Sequence, residues 1–396
     1  MNSSTIPGHG LATALEAGAP GLTQLETGSS STTSFSEVNL VSDLDAAGLQ
    51  ALGFAPALYQ DPALINPWGM NHTATGDWLI VDNGDAGSSS GFSAGGYYSG
   101  SGVKHGNVWI PQTAVGDMGA GAPVGATGVA YDPATNQFII GNLDGHLSTL
   151  DAGASTSVEQ ITGPTPEFGP PHSVYTGVAV GQIDGQTYIY AANDGTGAVD
   201  VYGPNLQPAT LPSGAFAAPA AAAAQGLVPF NVQTLDGHVW VTYAIPGPGA
   251  DDAPLGVGMV AEFTTEGQLV TAFGDPQHMA SPWAMAIAPA DFGAYAGDLL
   301  VGNFSHDAPG QAQDAFIDAY DPATGAYKGT LSDASGNPIL LPGLWQIEAG
   351  NNAAAGSAGN LYFVAGIGDE AHGLFGYLSP NLTAPSAWSP GHDALA

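Results

Sequence analysis

The stretch Thr127-Gly128-Val129-Ala130-Tyr131-Asp132-Pro133-Ala134-Thr135-Asn136-Gln137-Phe138-Ile139-Ile140-Gly141-Asn142-Leu143-Asp144-Gly145-His146-Leu147-Ser148-Thr149-Leu150 reads as three β-strands in succession. A short apolar segment comes first, the β-rich run Phe138 to Asn142 second, and an alternating segment led by Gly145 third. Asp132-Pro133 early in the first connection and Asn136, which tolerates positive φ, at its end spell a hairpin turn.

The same three pieces recur along the chain with a spacing of roughly 50 to 60 residues, the period of a propeller blade. The first piece returns as Trp68-Gly69-Met70, Thr176-Gly177-Val178, Phe230-Asn231-Val232, Trp283-Ala284-Met285 and Trp345-Gln346-Ile347. The second returns as Trp78 to Asn83, Tyr188 to Asn193, Val239 to Tyr243, Leu299 to Asn303 and Leu361 to Ala365. The third returns as Gly106 to Ile110, Gly197 to Tyr202, Gly258 to Phe263, Ala315 to Tyr320 and Gly373 to Leu378. Six copies predict an all-β, six-bladed β-propeller over residues 35–380, with an N-terminal extension (1–34) and a C-terminal tail (381–396). The last copy stops after its third strand, so Glu37 to Val41 is expected to complete it as the outermost strand and close the ring. The turn Tyr320-Asp321-Pro322-Ala323-Thr324-Gly325 is expected to join the third and fourth strands of the fifth blade.

Composition limits the function. Among 396 residues there are 35 acidic side chains but only two basic ones, Lys104 and Lys328, for a formal net charge of −33 at pH 7. Charged residues make up only 9% of the chain, so cations are scarce and acids are not in excess. In strong acid the carboxylates are neutral and each Lys, Arg or His adds uncompensated positive charge. A chain poor in cations limits that repulsion, which predicts an exported protein of an acidic habitat. Nucleic acid is excluded as a partner, because two lysines cannot displace the counterions of a phosphate backbone. No apolar run is long enough to span a membrane, and the alanine-rich Ala215 to Ala224 is too short. Cysteine is absent, so disulfides, thiolate metal sites and cysteine nucleophiles are excluded together.

The chemistry-bearing residues gather in the connections from second to third strands. Four second strands end in asparagine, at Asn83, Asn142, Asn193 and Asn303, and amide oxygens facing one axis suit a hard cation such as Ca²⁺. His306 in Ser305-His306-Asp307, with Glu370 and His372 in Asp369-Glu370-Ala371-His372-Gly373, are the candidate acid or base groups. His105 is read as part of the same set of loops. Trp68, Trp283 and Trp345 are read as wedges between neighbouring blades. Gly91-Phe92-Ser93-Ala94-Gly95 matches a nucleophile elbow by composition alone, because no helix follows it.

Asn66-Pro67-Trp68-Gly69, Ser281-Pro282-Trp283, Gly297-Asp298-Leu299-Leu300-Val301-Gly302-Asn303-Phe304, Gly343-Leu344-Trp345 and Asp369-Glu370-Ala371-His372-Gly373-Leu374-Phe375-Gly376 together resemble a family of exported bacterial conserved-hypothetical proteins. The resemblance implies an NHL-like six-bladed propeller and an exported location, and brings no activity with it. Three functions are therefore expected in order. The first is binding of a small ligand or envelope component through the loop face, or a surface-structural role. The second is a Ca-dependent lactonase or esterase with its site in the central channel. The third is a subunit of an extracellular assembly joined through the N-terminal tail.

Overall fold

The computed structural model describes residues 33–83, 92–111, 125–164, 172–247, 253–304 and 315–381. Six antiparallel sheets follow one another along the chain as blades. The chain opens with β1 (Ser34–Ser42), the short helix α1 (Ala46–Ala51) and the two-residue β2 (Tyr59–Gln60). Blade one holds β3 (Pro67–His72), β4 (Trp78–Asp82), β5 (Phe92–Tyr98) and β6 (Lys104–Pro111). Blade two holds β7 (Ala126–Asp132), β8 (Gln137–Asn142), β9 (His146–Asp151) and β10 (Val158–Thr162). Blade three has β11 (Tyr175–Ile183), β12 (Gln186–Asn193) and β13 (Ala198–Tyr202), after which Pro208 bridges back to Tyr202 in place of a full outer strand. The helix α2 (Ala220–Gln225) leads to blade four, with β14 (Val228–Leu235), β15 (His238–Ala244), β16 (Met259–Phe263) and β17 (Leu269–Phe273). Blade five holds β18 (Pro282–Ile287), β19 (Leu299–Asn303), β20 (Ile317–Tyr320) and β21 (Tyr327–Thr330). Blade six holds β22 (Leu344–Ala349), β23 (Leu361–Ala365) and β24 (Leu374–Asn381).

Second strands are largely apolar between their ends because both of their faces are covered, as in a buried sheet. Phe138 and Ile140 of β8 pack toward blade one, while Ile139 between them packs toward blade three. The hydrophobic core is thus a series of slabs, one between each pair of blades. β1 pairs antiparallel with β24 from Ser34 opposite Asn381 to Ser42 opposite Leu374, which joins the two ends of the ring. The expected outermost position is corrected in one respect: β2 pairs parallel with the end of β1, Val41 opposite Tyr59, and lies outside it.

A second correction concerns blade one. Gly106 to Ile110 lies in the outer strand β6, and the third strand is β5, Phe92–Tyr98. Gly95 and Gly96 hide the alternation of β5 in the sequence, and both are needed there. A Cβ on Gly95 would press on the Ile80 carbonyl of β4, and one on Gly96 would meet Tyr98 and Lys104. His105 consequently lies on the outer strand, its Nδ1 2.7 Å from an oxygen of Asp77, and not in a second-to-third-strand loop. The nucleophile-elbow match falls partly inside β5, in extended backbone.

Every inner strand carries an irregularity at the same place, where one extra residue is accommodated: between Pro67 and Gly69, Ala126 and Val129, Tyr175 and Gly177, Pro229 and Asn231, Pro282 and Ala284, and Leu344 and Gln346. A bulge of this kind re-aims a side chain out of the ladder. In blades one, four, five and six the bulged residue is aromatic: Trp68, Phe230, Trp283 and Trp345.

Candidate functional site: the axial channel

The four aromatics meet. The Trp345 ring lies 3.6 Å from Trp68, 4.2 Å from Phe304, 5.6 Å from Trp283 and 6.4 Å from Phe230, centroid to centroid. Trp345 belongs to blade six and Phe230 to blade four, so their contact joins two blades that are not neighbours. These side chains are more than wedges serving separate blade boundaries. They converge in a buried plug at the end of the channel where the inner strands begin. Trp345 donates its Nε1–H to Asn66 Oδ1 at 2.8 Å, and the same asparagine donates to Glu370 Oε2 at 2.6 Å.

Beyond the plug the channel is a cavity of about 350 Å³ lined by all six inner strands, with Asn71, Val129, Val178, Gln233, Met285 and Gln346 each representing one of them. It runs toward the turns that follow the first strands, where Asp236 is exposed. The site therefore lies at the opposite end of the axis from the second-to-third-strand loops.

Neighbouring inner strands are stitched through this channel by side chains that use their unpaired edges. Gln346 Oε1 accepts from Met70 N–H at 3.1 Å and Gln233 Oε1 accepts from Met285 N–H at 3.0 Å, each reaching the next blade. Asn231 donates to the Trp283 carbonyl at 2.7 Å, and Thr127 to the Tyr175 carbonyl at 2.8 Å. From blade one to blade four the inner strands also carry Gly69, Gly128 and Gly177. A Cβ on any of them would collide with the following blade, so these blades sit closer together.

Glu348 is the carboxyl group of the described inner strands nearest a histidine in the cavity. One of its oxygens is 3.8 Å from His72 Nε2, and the other is buried without a hydrogen-bond partner. Burial pushes the Glu348 carboxyl up to about 7, although His72 pulls in the opposite direction. The two ring nitrogens of His72 face the carbonyl oxygens of Thr73 and Ala349, at 2.9 and 3.0 Å.

The asparagines that end the second strands are placed at the other face. Asn193 and Asn303 share one arrangement. Their amide oxygens accept the N–H of Val174 and Ala280 just before the inner strand of their own blade, each at 3.0 Å. Their nitrogens donate to a carboxylate on the third strand of their own blade, half-buried Asp200 at 2.7 Å and buried Asp318 at 3.0 Å. Asn83 donates to the Ala126 carbonyl at 3.2 Å and Asn142 to the His146 carbonyl at 3.3 Å, leaving Asn142 Oδ1 buried and unpartnered. Replacing Asn303 by alanine takes this partner from Asp318 Oδ2, whose other oxygen keeps the Thr330 hydroxyl, and from the Ala280 N–H in the interior. The expected cost is about 2–3 kcal/mol by urea denaturation at pH 5. A near-neutral result accompanied by lost calcium binding would instead identify Asn303 as a ligand.

Of the three candidate acid or base groups, His306 lies outside the described residues. Glu370 bonds Asn66, and His372 Nδ1 is 2.7 Å from Asp43 Oδ2 at the end of β1. Asp43 also accepts the Gly373 N–H at 2.9 Å, so this cluster ties the N-terminal strand to blade six. Among the described residues no group of three or more His, Asp or Glu side chains is disposed to hold a metal ion. His72 and Glu348 escaped sequence reading because each lies just past the apolar triplets that marked the first strands. The signal was the polar ending of those strands, Asn71-His72, Gln233-Thr234 and Glu348, which the repeat places in register.

No family model matches the chain. Two uncharacterized proteins of Acanthamoeba polyphaga mimivirus are similar to it, one 26% identical over 151 residues and the other 27% identical over 154 residues. These matches cover 37% and 38% of this chain and 34% and 37% of the relatives, so the chain spans about a third of their length. A solved chain described as BBS1N in complex with ARL6DN aligns with 77% of this chain and 75% of its own, at a TM-score of 0.41 and 12% identity.

Proposed function

We propose that this is an exported binding propeller of an acidic environment, and that it takes a small ligand into the axial channel. The observation that carries this reading is the cavity itself, lined by polar and apolar side chains from every blade and stopped at one end by the aromatic plug. A pocket of this size with a few fixed polar groups is the common form of a small-molecule site. A surface-structural role would ask nothing of the channel. A ligand that raises the melting temperature at pH 5 is expected to lose that effect in Val180→Trp, which fills the half-buried channel wall while the variant keeps its own transition. A thermal shift that survives Val180→Trp would overturn the reading.

The calcium-dependent hydrolase remains the rival, resting on the second-strand asparagines. Calcium titration by calorimetry decides it, since the channel reading expects no heat that depends on Asn142 or Asn303.

A further inference from the structure

Three amide groups enter the channel with their orientation already fixed. Gln346 and Gln233 spend their oxygens on the Met70 and Met285 N–H groups, and Asn71 Oδ1 accepts the N–H of His72 at 2.8 Å. Each amide is thereby held with its NH₂ as the free end, and those nitrogens have no hydrogen-bond partner among the described residues. The donors come from blades one, four and six, so they surround the cavity from different sides. Between them stand apolar side chains such as Val178, Met285 and Ile347.

Charge discriminates further. Both lysines are committed on outer strands, Lys104 to Asp61 at 2.7 Å and Lys328 beside Asp298 and Asp321, so no lysine or arginine lines the channel to hold an anion. A cation fares no better: the one carboxyl beside the cavity histidine, Glu348, is pushed up to about 7 by burial, which favours its neutral form at pH 5.

Resting on the channel reading above, we infer that the ligand is a neutral polyhydroxylated molecule of monosaccharide size, whose oxygens accept from Asn71, Gln233 and Gln346 while its C–H face packs on the apolar wall. Its hydroxyls also have acceptors to hand, in the Glu348 carboxyl and in backbone carbonyls of the inner strands.

Glucose, glucosamine and glucuronate share one ring and differ in charge at pH 5, so they form the test. The readout is the ¹³C-methyl resonance of Met285, one of six methionines in the chain, assigned with Met285→Leu. Glucose is expected to move this signal saturably, with the two charged sugars binding about tenfold more weakly. Gln233→Glu keeps the oxygen that accepts from Met285 and removes the donor, so it is expected to weaken glucose by about tenfold, the worth of one neutral hydrogen bond. Equal or tighter binding of either charged sugar would overturn the inference. So would a Met285 methyl that ignores all three sugars but responds to another Val180→Trp-sensitive ligand, and that outcome leaves the channel reading standing. A methyl unmoved by every ligand whose thermal shift survives Val180→Trp overturns both.

Discussion

Unfolding is expected to be hardest near pH 4 to 5 and to become easier by about 3–6 kcal/mol by pH 8, a large part of the stability of an ordinary domain. The sign follows from which state holds the proton. Asp194 and Asp318 are pushed up to about 6 by burial, and Glu348 to about 7 by the same cause. Asp200, Glu37 and Asp298 are raised as well, again chiefly by burial. A carboxyl raised in the folded state stabilises the fold fully below its unfolded value, and that contribution disappears as the pH climbs through the folded value. For Asp318, only 1% exposed, the span from the usual 3.8 to about 6 corresponds to about 3 kcal/mol at 1.36 kcal/mol per unit. His146, raised by its bond to Asp144, acts in the same direction, since its stabilisation is lost as the pH rises through its raised value.

The opposing groups are few. Burial would raise Asp61, but its bonds with Lys104 and Tyr98 hold it below the usual carboxylate range, so it loses stabilisation in acid. Asp321 and Asp333 are also lowered by hydrogen bonding, and both lie half-buried in surface turns. At least six described histidines stand against a carboxylate, including His238 with Glu262 and His278 with Asp275, in the place that lysine and arginine hold in most proteins. Each is an ion pair only while the imidazole is protonated. Urea titrations at half-unit intervals from pH 3 to 8.5 in constant salt check the expectation. A stability that rises steadily to pH 8 would refute it, and Asp318→Asn is expected to flatten the slope.

The extent to which this was legible in the sequence differs by element. Second strands were readable because burial on both faces leaves few polar positions between their ends, as in Leu299 to Gly302, and every one of them falls where its apolar run stands. The closing strand was readable from the missing fourth strand of blade six. The third strand of blade one was not, because Gly95-Gly96 removes the side chains that would show a period of two. The asparagines at second-strand ends were visible as a repeat, yet a repeated residue does not show which of its atoms is spent. In Asn193 and Asn303 both ends of the amide are bonded to protein. The aromatic plug was hidden for another reason. Strand alternation aims Trp68, Trp283 and Trp345 at blade boundaries, and only the bulge preceding Gly69, Ala284 and Gln346 turns them to the axis.

That plug sets the other large effect, in Trp345→Ala. Trp345 is 1% exposed and is the ring that the other four aromatics of the cluster all touch. Truncation to alanine removes those contacts, leaves a cavity on the axis that six rigid blades cannot collapse to fill, and frees Asn66 Oδ1 from its 2.8 Å bond. The expected loss is about 3–5 kcal/mol, the upper range for a buried aromatic. Trp345→Phe keeps most of the stacking and gives up the indole N–H, so about 1–3 kcal/mol is expected. Trp109, 49% exposed on the outer strand of blade one, is the control, and its alanine variant is expected to cost about 0.5 kcal/mol or less. Near-ultraviolet circular dichroism supplies an independent reading, because Trp68 and Trp345 stack at 3.6 Å and their coupled signal disappears with either ring. If Trp345→Ala unfolded at the same urea concentration as Trp109→Ala, the ring would owe its closure to the slabs between blades and to β1 against β24, and the plug would be only a stopper for the channel.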